Sequence, residues 1–506
     1  MNFSDPLFNH IPDDRKQKLQ SLIDAGVNAW GGRFDPRVPI NDARALFPEF
    51  NADSHAADPH HIYGESIRIA GRICLFRDFG QLAFMTLEDQ SGKLQCALAK
   101  KLLKPDTQEP PRNLFKLWQK TLDLGDVIGV EGDLMFTQKG EPTLWIKELT
   151  FLSKAMQPPP GKFHGLQDTE TKYRKRYLHL MSDAEARDVF IKRSRIVSAI
   201  RSFMDKLGFL EIEGPVLQNI PGGAAARPFI THHNALDMDL YMRIATELPL
   251  KMMLVGGVEK VYEIGRLFRN EGVESSHNPE FTTIEFYQSY ADLRTMMHLT
   301  ERLFETIAKD FICSTCVRFR DKDFNFQPPL ARADFRELIE SKTGVKRDDL
   351  DGLRAKLKDK GFSDEAIKKL DADHLLDEAF SEYVEPDLIQ PTFVMRQPVS
   401  LAPLCKPGAD DAAVSDRFEL YVCGMEVANA YSELNDPFLQ RAVLSRQAGD
   451  IEKGVIEGKI DETFLDALEH GMPPAGGEGI GIDRLVMILT GQYSIRDVIL
   501  FPLLKR

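Results

Sequence analysis

The stretch VYEIGRLFRNEGVESSHNPEFTTIEFY, residues 261–287, decides the fold of this chain. Apolar residues alternate with polar ones at its two ends, 261–268 and 281–287, and the segment between them contains glycine, serine and proline. This pattern predicts an antiparallel hairpin with a long connection. The stretch also carries a dense set of titratable residues: Arg266, Arg269, Glu271, His277, Glu280 and Glu285. Because a buried charge is costly unless it is paired or binds a ligand, the pattern favours a functional site over a solvated hairpin of structural ion pairs.

A second informative stretch lies far downstream, where residues 476–484 read GGEGIGIDR and precede the apolar run LVMIL. The hairpin resembles the second signature motif of class II aminoacyl-tRNA synthetases, in which an arginine ends one strand and an aromatic residue opens the next. Residues 476–484 resemble the third motif of that class, a glycine-rich strand that leads to an arginine at the start of a helix. The two motifs occur in the order that the family has.

Length and composition are those of an ordinary globular protein. The chain has 506 residues, a net charge of −13 and 43% hydrophobic residues, which indicates two or three domains. No run approaches the roughly 18 apolar residues of a membrane span, and the N-terminus lacks the features of a signal peptide, so a cytoplasmic protein is expected. The acidic charge argues against indiscriminate nucleic-acid binding, although basic clusters at 172–176 and 192–195 keep RNA open.

Four regions follow from changes of pattern along the chain. Residues 1–60 contain a predicted helix at 13–25 and look like an appendage without a core of its own. Short alternating strands with one helix, at 114–121, predict an OB-type β-barrel over 61–155. Three consecutive prolines indicate a stiff linker at 156–170. The remainder, 171–506, is predicted to be an α+β domain with a mostly antiparallel sheet and flanking helices, and with a helical insertion around 317–373.

The start of this last region resembles the first class II motif. A predicted amphipathic helix at 184–207 is followed by a short strand that closes on Pro215, and in the family this unit builds a homodimer interface. The small-residue loop 221–229, PGGAAARPF, allows close approach of the backbone to a ligand.

The substrate is indicated by longer similarities. The segments PGGAAARPFITHHNALD, ELPLKMMLVGGVEKVYEIGRLFRNEG, NAYSELND and GIGIDR are similar to class II lysyl-tRNA synthetases of bacteria, more than to their aspartyl and asparaginyl relatives. The resemblance implies that the protein activates L-lysine with ATP and then transfers the lysyl group to the terminal ribose of tRNA(Lys). A paralogue that modifies a protein, and an inactive RNA-binding homologue, are the alternatives.

The expected pocket suits lysine, which carries two ammonium groups and one carboxylate. Glu247, Glu285 and Glu433 are available for the ammoniums, with Tyr287 as a hydroxyl partner, whereas an aspartate pocket would need a spare cation. Arg269 and Asn429 remain for the carboxylate. The resemblance implies this full set of lysine-binding residues: Gly223, Glu247, Arg269, Glu285, Tyr287, Asn429, Tyr431 and Glu433.

The resemblance also implies an ATP and magnesium site. Arg269 and Arg484 would be catalytic, Phe281 would stack on the adenine, and Glu419 and Glu426 would hold Mg²⁺, which prefers hard oxygen ligands. The implied ATP-binding residues are Arg269, Glu271, His277, Asn278, Phe281, Glu426 and Arg484. Because a spacing of seven puts Glu419 and Glu426 on opposite faces of one strand, a bend or bulge is expected between them.

The anticodon is expected on the barrel. The resemblance implies that Phe84 stacks on the central base and that Gln95 reads its edge, with Arg77 and Glu141 nearby; by pattern alone, Phe84 is more often a core residue. The chain also departs from the family pattern. The departures are Ser276, Ala430, Tyr431 and Glu478, and the last would weaken ATP binding if its carboxylate pointed at the triphosphate.

Overall fold

The computed structural model describes residues 5–109, 111–161, 166–224, 226–346, 348–451 and 460–505, without the side chains of 448–451. The chain divides into two compact units, Met1–Leu166 and Gln167–Arg506. The division falls within the predicted linker 156–170, of which residues 162–165 lie outside the described ranges. Within those ranges no helix has the length and apolar character needed to cross a membrane.

The first unit contains a closed barrel of five strands in the order β1-β2-β3-β5-β4. One helix lies between β3 and β4 in sequence, so the predicted OB-type barrel is confirmed. Its strands are β1 (Ile67–Asp78), β2 (Leu82–Glu88), β3 (Lys93–Ala99), β4 (Val127–Phe136) and β5 (Pro142–Ser153). Its helices are α1 (Asp13–Asp24), α2 (Ile40–Ala45), α3 (Ala52–Ala57) and α4 (Leu114–Thr121).

The N-terminal region 1–60 shares the core of the barrel. Leu19 and Leu22 of α1, with Ile40 and Ala43 of α2, are almost completely buried in the same apolar cluster as the inward-facing barrel residues. The predicted boundary at residue 60 is therefore not a boundary of packing, because the helices before it and the strands after it bury one another's apolar surface.

The second unit is built on an eight-stranded sheet in the order β14-β15-β16-β17-β18-β11-β10-β6. Its neighbouring strands are antiparallel except at the two edges, where β14 pairs with β15 and β10 with β6 in parallel, so the predicted α+β fold is confirmed. The strands are β6 (Leu210–Glu211), β7 (Leu217–Gln218), β8 (Ile230–His233), β9 (Met238–Met242), β10 (Lys260–Phe268), β11 (Glu280–Ser289), β12 (Cys316–Phe319), β13 (Lys322–Asn325), β14 (Ala331–Asp334), β15 (Thr392–Met395), β16 (Arg417–Val422), β17 (Met425–Ser432) and β18 (Ala475–Gly481).

Helices cover one face of this sheet. Ile200 of the second unit's longest helix packs with Phe304, Val486 and the sheet residues Ile284 and Phe286 in one apolar cluster. The helices of the unit are α5 (Thr169–Arg174), α6 (Arg176–Ser182), α7 (Ala184–Lys206), α8 (Glu247–Val255), α9 (Leu293–Ile312), α10 (Phe335–Thr343), α11 (Leu350–Asp359), α12 (Asp364–Lys368), α13 (Ala372–Tyr383), α14 (Pro437–Ile451), α15 (Glu462–Glu469), α16 (Ile482–Thr490) and α17 (Ile495–Val498).

The predicted insertion at 317–373 is not helical throughout. It begins with the hairpin of β12 and β13 and the edge strand β14, and helices start only at α10. The apolar side chains of Val317, Phe319, Phe324 and Phe326 are buried in the main core. Charged residues between them obscured the alternation of these short strands in the sequence. The helices α10, α11 and α13 pack with Val394 and Tyr421 of the sheet in a second, smaller core.

Candidate active site

A cavity of about 980 Å³ opens on the face of the sheet opposite to the helical core. Alternation along β11 explains this, because Ile284 and Phe286 belong to the core whereas Glu285 and Tyr287 line the cavity. Nearly all of the residues expected at the lysine and ATP sites line it together: Gly223, Glu247, Arg269, Glu271, His277, Asn278, Phe281, Glu285, Tyr287, Glu419, Glu426, Asn429, Tyr431 and Arg484. Glu433 is fully buried and lies behind this lining.

Glu433 reaches the wall of the cavity through a glycine. A Cβ atom added to Gly477 would lie 2.2 Å from Glu433 Oε1 and 2.3 Å from the Tyr287 ring. The lack of a side chain at Gly477 therefore lets the carboxylate and the phenol ring lie against the strand. Gly223, which also lines the cavity, likewise leaves little room for a side chain. Its φ is +85°, and a Cβ atom added to it would lie close to the Cβ atoms of Ala245 and Glu247.

Three carboxylates form the acidic end of the cavity. Glu285 is buried and accepts a hydrogen bond from the backbone N–H of Thr246, at 3.2 Å. Burial, with the nearby charge of Glu247, raises the pKa of Glu285 to about 7. Burial also raises the pKa of Glu433, against the opposing effect of Lys251. Acidic groups held this close together without solvent suit a cationic ligand.

Two of the expected arginines bring positive charge to the same cavity. Arg269 follows β10, and its guanidinium lies 5.2 Å from the centre of the Phe281 ring. Arg484, in the first turn of α16, contacts His277 Nε2 through Nη2 at 3.2 Å and donates from Nη1 to the backbone oxygen of Glu426 at 2.5 Å. Cationic donors beside an aromatic face suit a nucleotide with its phosphates.

A bulge brings Glu419 and Glu426 onto one face. They lie on β16 and β17, which are joined by a tight turn at Cys423 and Gly424, both with positive φ. The register shifts between Leu420 and Tyr421, so that Tyr421 pairs with Glu426 and both carboxylates face the cavity. The expected break in the strand is therefore confirmed, as a hairpin turn together with a bulge.

The pair of carboxylates fits a divalent cation that has other ligands. Burial, followed by the charge of Glu419, raises the pKa of Glu426, and a cation between the two would relieve both effects. Within the described ranges no group of three His, Cys, Asp or Glu side chains could hold a metal. Phosphate and water oxygens would have to complete the shell, as Mg²⁺ at nucleotide sites prefers.

Arg417 is a member of the site that the sequence did not single out. Its guanidinium forms an ion pair with Glu419, donates from Nε to Asn429 Oδ1 at 3.0 Å and lies 5.8 Å from the centre of the Tyr431 ring. It therefore orients Asn429, which the sequence assigns to the carboxylate of the substrate. Its position, directly opposite Tyr431 in the register of β16 and β17, becomes visible only once the strands are paired.

Two of the sequence departures have side chains that face away from the cavity, into the helical core. Thr300 Oγ1 of α9 lies 2.8 Å from both carboxylate oxygens of Glu478, and burial holds the pKa of this carboxyl well above its usual value. Ala430 is fully buried in the core on the same face of the sheet. Glu478 therefore does not point at the triphosphate end, whereas Tyr431 lines the cavity and Ser276 contacts His277 Nδ1 at 3.0 Å.

On the barrel, Phe84 faces outward from β2, between the buried residues Ala83 and Met85. Its ring lies 6.1 Å from that of Phe79 and 6.3 Å from that of Trp145, edge to face in both cases. The alternative that Phe84 is a core residue is therefore wrong. The sequence analysis did not predict the two aromatic neighbours of Phe84, because the segments that carry them come together only in the closed barrel.

The other residues expected at the anticodon lie near this aromatic group. Arg77 pairs with Phe84 across β1 and β2. Gln95 pairs with Thr143 across β3 and β5 and donates to its hydroxyl at 2.9 Å. Glu141 is exposed, immediately before β5. An exposed aromatic face bordered by polar groups is what single-stranded nucleic acid binds on such barrels.

Comparison with known proteins covers both units. A family model described as tRNA synthetases class II (D, K and N) matches residues 168–505, and one described as an OB-fold nucleic acid binding domain matches residues 67–152. The chain is 44% identical over 502 residues to a lysine–tRNA ligase of Moorella thermoacetica, covering 98% of each chain. It is 46% identical over 501 residues to a lysine–tRNA ligase of Dehalococcoides mccartyi, covering 98% of this chain and 97% of that relative.

Proposed function

This chain belongs to the class II tRNA synthetases of the D, K and N group, and we propose that the cavity of its second unit is where lysine–tRNA ligation takes place. The activity is the ATP-dependent joining of L-lysine to tRNA(Lys). The observation that carries the proposal is the set of side chains that line the cavity: the buried carboxylates of Glu247 and Glu285 near the charge of Arg269, together with Arg484 in contact with His277 and Glu426. A cytoplasmic location is proposed with it, as for a translation enzyme.

Lysine binds with its cationic groups toward the acidic end. Glu247 and Glu285 hold the α-ammonium, and Glu433 with Tyr287 holds the side-chain ammonium. Arg269 and Asn429 hold the carboxylate, with Gly223 and Tyr431 forming the adjoining walls. The close packing of Glu433 and Tyr287 against Gly477 supports this assignment, because a closed acidic site stabilises a bound cation far more strongly than an open one does.

In the first step a carboxylate oxygen of lysine attacks the α-phosphorus of ATP. A bond forms between that oxygen and phosphorus, the bond to the bridging oxygen breaks, and pyrophosphate leaves. Arg269 stabilises the charge that develops on the α-phosphate, and His277 and Arg484 hold the outer phosphates. Glu271, Asn278 and Phe281 position the adenine and its ribose end, so that the chemistry depends on orientation and charge rather than on proton transfer.

Glu419 and Glu426 would hold Mg²⁺ in this reaction. When bound, the ion neutralises charge on the phosphate oxygens. The charge of Glu419 contributes to the raised pKa of Glu426, and this closeness of the two carboxylates supports their role as ligands of the ion. In the second step the terminal ribose hydroxyl of tRNA attacks the lysyl carbonyl, the new ester forms, and AMP leaves.

The test of the function is pyrophosphate exchange that depends on lysine, followed by charging of tRNA(Lys). We expect exchange with lysine and none with aspartate or asparagine, together with attachment of lysine to tRNA. Exchange without tRNA charging, but with lysine attached to a protein, would favour the protein-modifying paralogue instead. Absence of lysine-dependent exchange from the folded protein would exclude both activities.

We expect Phe84→Ala to weaken tRNA(Lys) binding by about 1–3 kcal/mol, because stacking on one base is lost. Lysine-dependent exchange without tRNA should stay at the wild-type rate, since Phe84 lies on the barrel. The measurement is the Kd for tRNA alongside the exchange rate. Loss of the cooperative unfolding of the barrel in this variant would contradict the outward, base-facing role of Phe84.

A homodimer is also proposed, built on α7 and the strand that follows it. Exposed apolar side chains follow α7 in the sequence, at Leu210, Val216, Leu217, Ile230 and Leu236, and exposed apolar surface favours a partner. We expect light scattering at micromolar concentration to give the mass of two chains. An active monomer under those conditions would contradict the proposal.

Glu285 should make lysine binding depend on pH. Its pKa is raised to about 7 by burial and by Glu247, against the hydrogen bond from Thr246 and the charge of Arg269. Below that pH the carboxyl holds a proton that must leave before the ammonium can bind, so KM for lysine should rise as pH falls, by up to about tenfold per unit. KM measured across neutral pH should lose this rise in Glu285→Gln. An unchanged profile in that variant would assign the titration to another group.

A further inference from the structure

A lysine of the protein itself lies buried behind the acidic end of the cavity. Lys251, on α8, is fully buried, and its Nζ lies 2.5 Å from Glu247 Oε1 and 2.5 Å from Glu433 Oε2. The rings of Tyr287 and Phe464 flank this ammonium at 5.9 and 6.0 Å. Burial alone would lower the pKa of Lys251, but the two carboxylates outweigh it and hold the pKa above its usual value. The group is therefore a fixed internal cation.

The two oxygens of Glu433 differ as a result. Neither oxygen has a partner in good hydrogen-bond geometry among the residues that the structure describes, but Oε2 lies 2.5 Å from Lys251 Nζ in an ion pair, whereas Oε1 lies against Gly477. The groups that influence Glu433 come from several elements, and Lys251 is the cation in contact with it. The titratable neighbours are Glu247, Lys251, Glu285, Tyr287, Cys405 and Tyr431.

Charge balance shows why an internal cation is useful here. With every group ionised, the carboxylates of Glu247, Glu285 and Glu433 and the cations of Lys251 and Arg269 give the empty pocket one net negative charge. L-lysine carries one net positive charge, so the filled pocket is neutral. Without Lys251 the filled pocket would keep an unbalanced negative charge in a closed, poorly solvated site, where such a charge is expensive.

We propose that Lys251 is a positioning residue for lysine selection: it favours the ionised form of the Glu433 carboxylate against the effect of burial and fixes its position, with Oε1 left for the side-chain ammonium of the substrate. This inference rests on the proposed role of Glu433, and it assigns Lys251 an effect that passes through that carboxylate. Glu247, one turn earlier on α8, holds the ammonium of Lys251 in place.

The test is a double-mutant cycle on KM for lysine in pyrophosphate exchange, with Lys251→Met, Glu433→Gln and the double variant. Lys251→Met keeps most of the volume and removes the charge. We expect it to raise KM for lysine by roughly thirtyfold or more, the lower limit for truncating one member of a buried charge pair, while KM for ATP changes little. In the Glu433→Gln background the same substitution should raise KM by less than about threefold, since residues acting through one contact are not additive.

Lys154→Met is the matched control. Lys154 is also nearly completely buried and ion-paired with two carboxylates, Asp123 at 2.6 Å and Asp126 at 2.9 Å, but it belongs to the barrel unit. Lys154→Met and Lys251→Met should both lower the melting temperature, but Lys154→Met should leave KM for lysine unchanged. This control separates the loss of a buried ion pair from an effect on the substrate.

The outcomes are distinct. Equal effects of Lys251→Met in the two backgrounds would overturn the inference, as would an unchanged KM for lysine in the single variant. If Lys251→Met alone does not fold, the comparison of the double variant with Glu433→Gln still tests the inference. A further rise of roughly thirtyfold in KM for lysine in the double variant would show that Lys251 acts independently of Glu433 and would overturn the inference. Failure of the wild-type protein to catalyse lysine-dependent exchange would instead overturn the proposed function.

Discussion

Replacing Arg269 by Gln is expected to lower kcat for lysine-dependent pyrophosphate exchange by about 10³-fold or more. The guanidinium lies beside Phe281, and its charge acts on both Glu285 of the proposed lysine site and Glu426 of the proposed magnesium site, so it can serve the lysine carboxylate and the α-phosphate together. Arginines that stabilise transferring phosphoryl groups are typically worth 10³–10⁵ in kcat. Glutamine keeps part of the shape and the ability to donate a hydrogen bond, but it removes the charge.

Arg266→Gln is the control for this experiment. Arg266 lies on the same strand, β10, but it is largely exposed and forms an ion pair with Glu280 at 2.8 Å. Because exposed ion pairs contribute little to stability, this variant should keep wild-type exchange. Equal losses in the two variants would indicate damage to the hairpin, and an unchanged rate in Arg269→Gln would contradict its catalytic role.

Glu433→Gln should impair the use of lysine far more than the use of ATP. The carboxylate is fully buried, and loss of a charged partner in such a site costs roughly 2–5 kcal/mol. Rejection of norleucine should relax, because the penalty for this neutral analogue comes from leaving acidic groups unpaired. Ornithine, one methylene shorter, should be rejected by roughly 10–200-fold from packing alone, in wild type and variant alike.

Pyrophosphate exchange with the three amino acids measures these effects. Glu478→Gln provides a matched control, since Glu478 is a buried carboxylate of the same sheet whose side chain faces Thr300 on the opposite side. That variant should keep the wild-type preference for lysine. Unchanged lysine use in Glu433→Gln would contradict the assignment of Glu433 and much of the argument for this substrate pocket.

The hairpin of β10 and β11 and the OB-type barrel could be predicted because their apolar alternation is long and regular. The residues that line the cavity could be predicted from motifs, each of which is local in sequence. Lys251 and Arg417 could not, because Lys251 meets Glu433 only when α8 packs against the sheet, and Arg417 meets Asn429 only when β16 and β17 pair. The side of the sheet that Glu478 faces could not be predicted either, because a glycine-rich strand has too few apolar residues to show an alternation.

The strands in the predicted insertion were missed for another reason. Each of β12, β13 and β14 has four residues, too few for a period of two to stand out among charged neighbours. The bulge between β16 and β17 was expected only because the two carboxylates assigned to magnesium had to share a face. Chemistry can therefore predict an irregular backbone that propensity alone does not.

The shared core of the N-terminal helices and the barrel limits how the anticodon-binding module can be divided or inherited. A fragment that began at residue 61 would strip Leu19, Leu22 and Ile40 from the core, and each such side chain contributes about 1.5–3 kcal/mol when fully buried. The apolar barrel surface that these side chains cover would then be exposed, and this would favour aggregation. Recombination or truncation in this lineage should therefore keep α1 and α2 with the barrel as a single heritable block, and deletions within 13–45 should weaken tRNA recognition by destabilising the barrel.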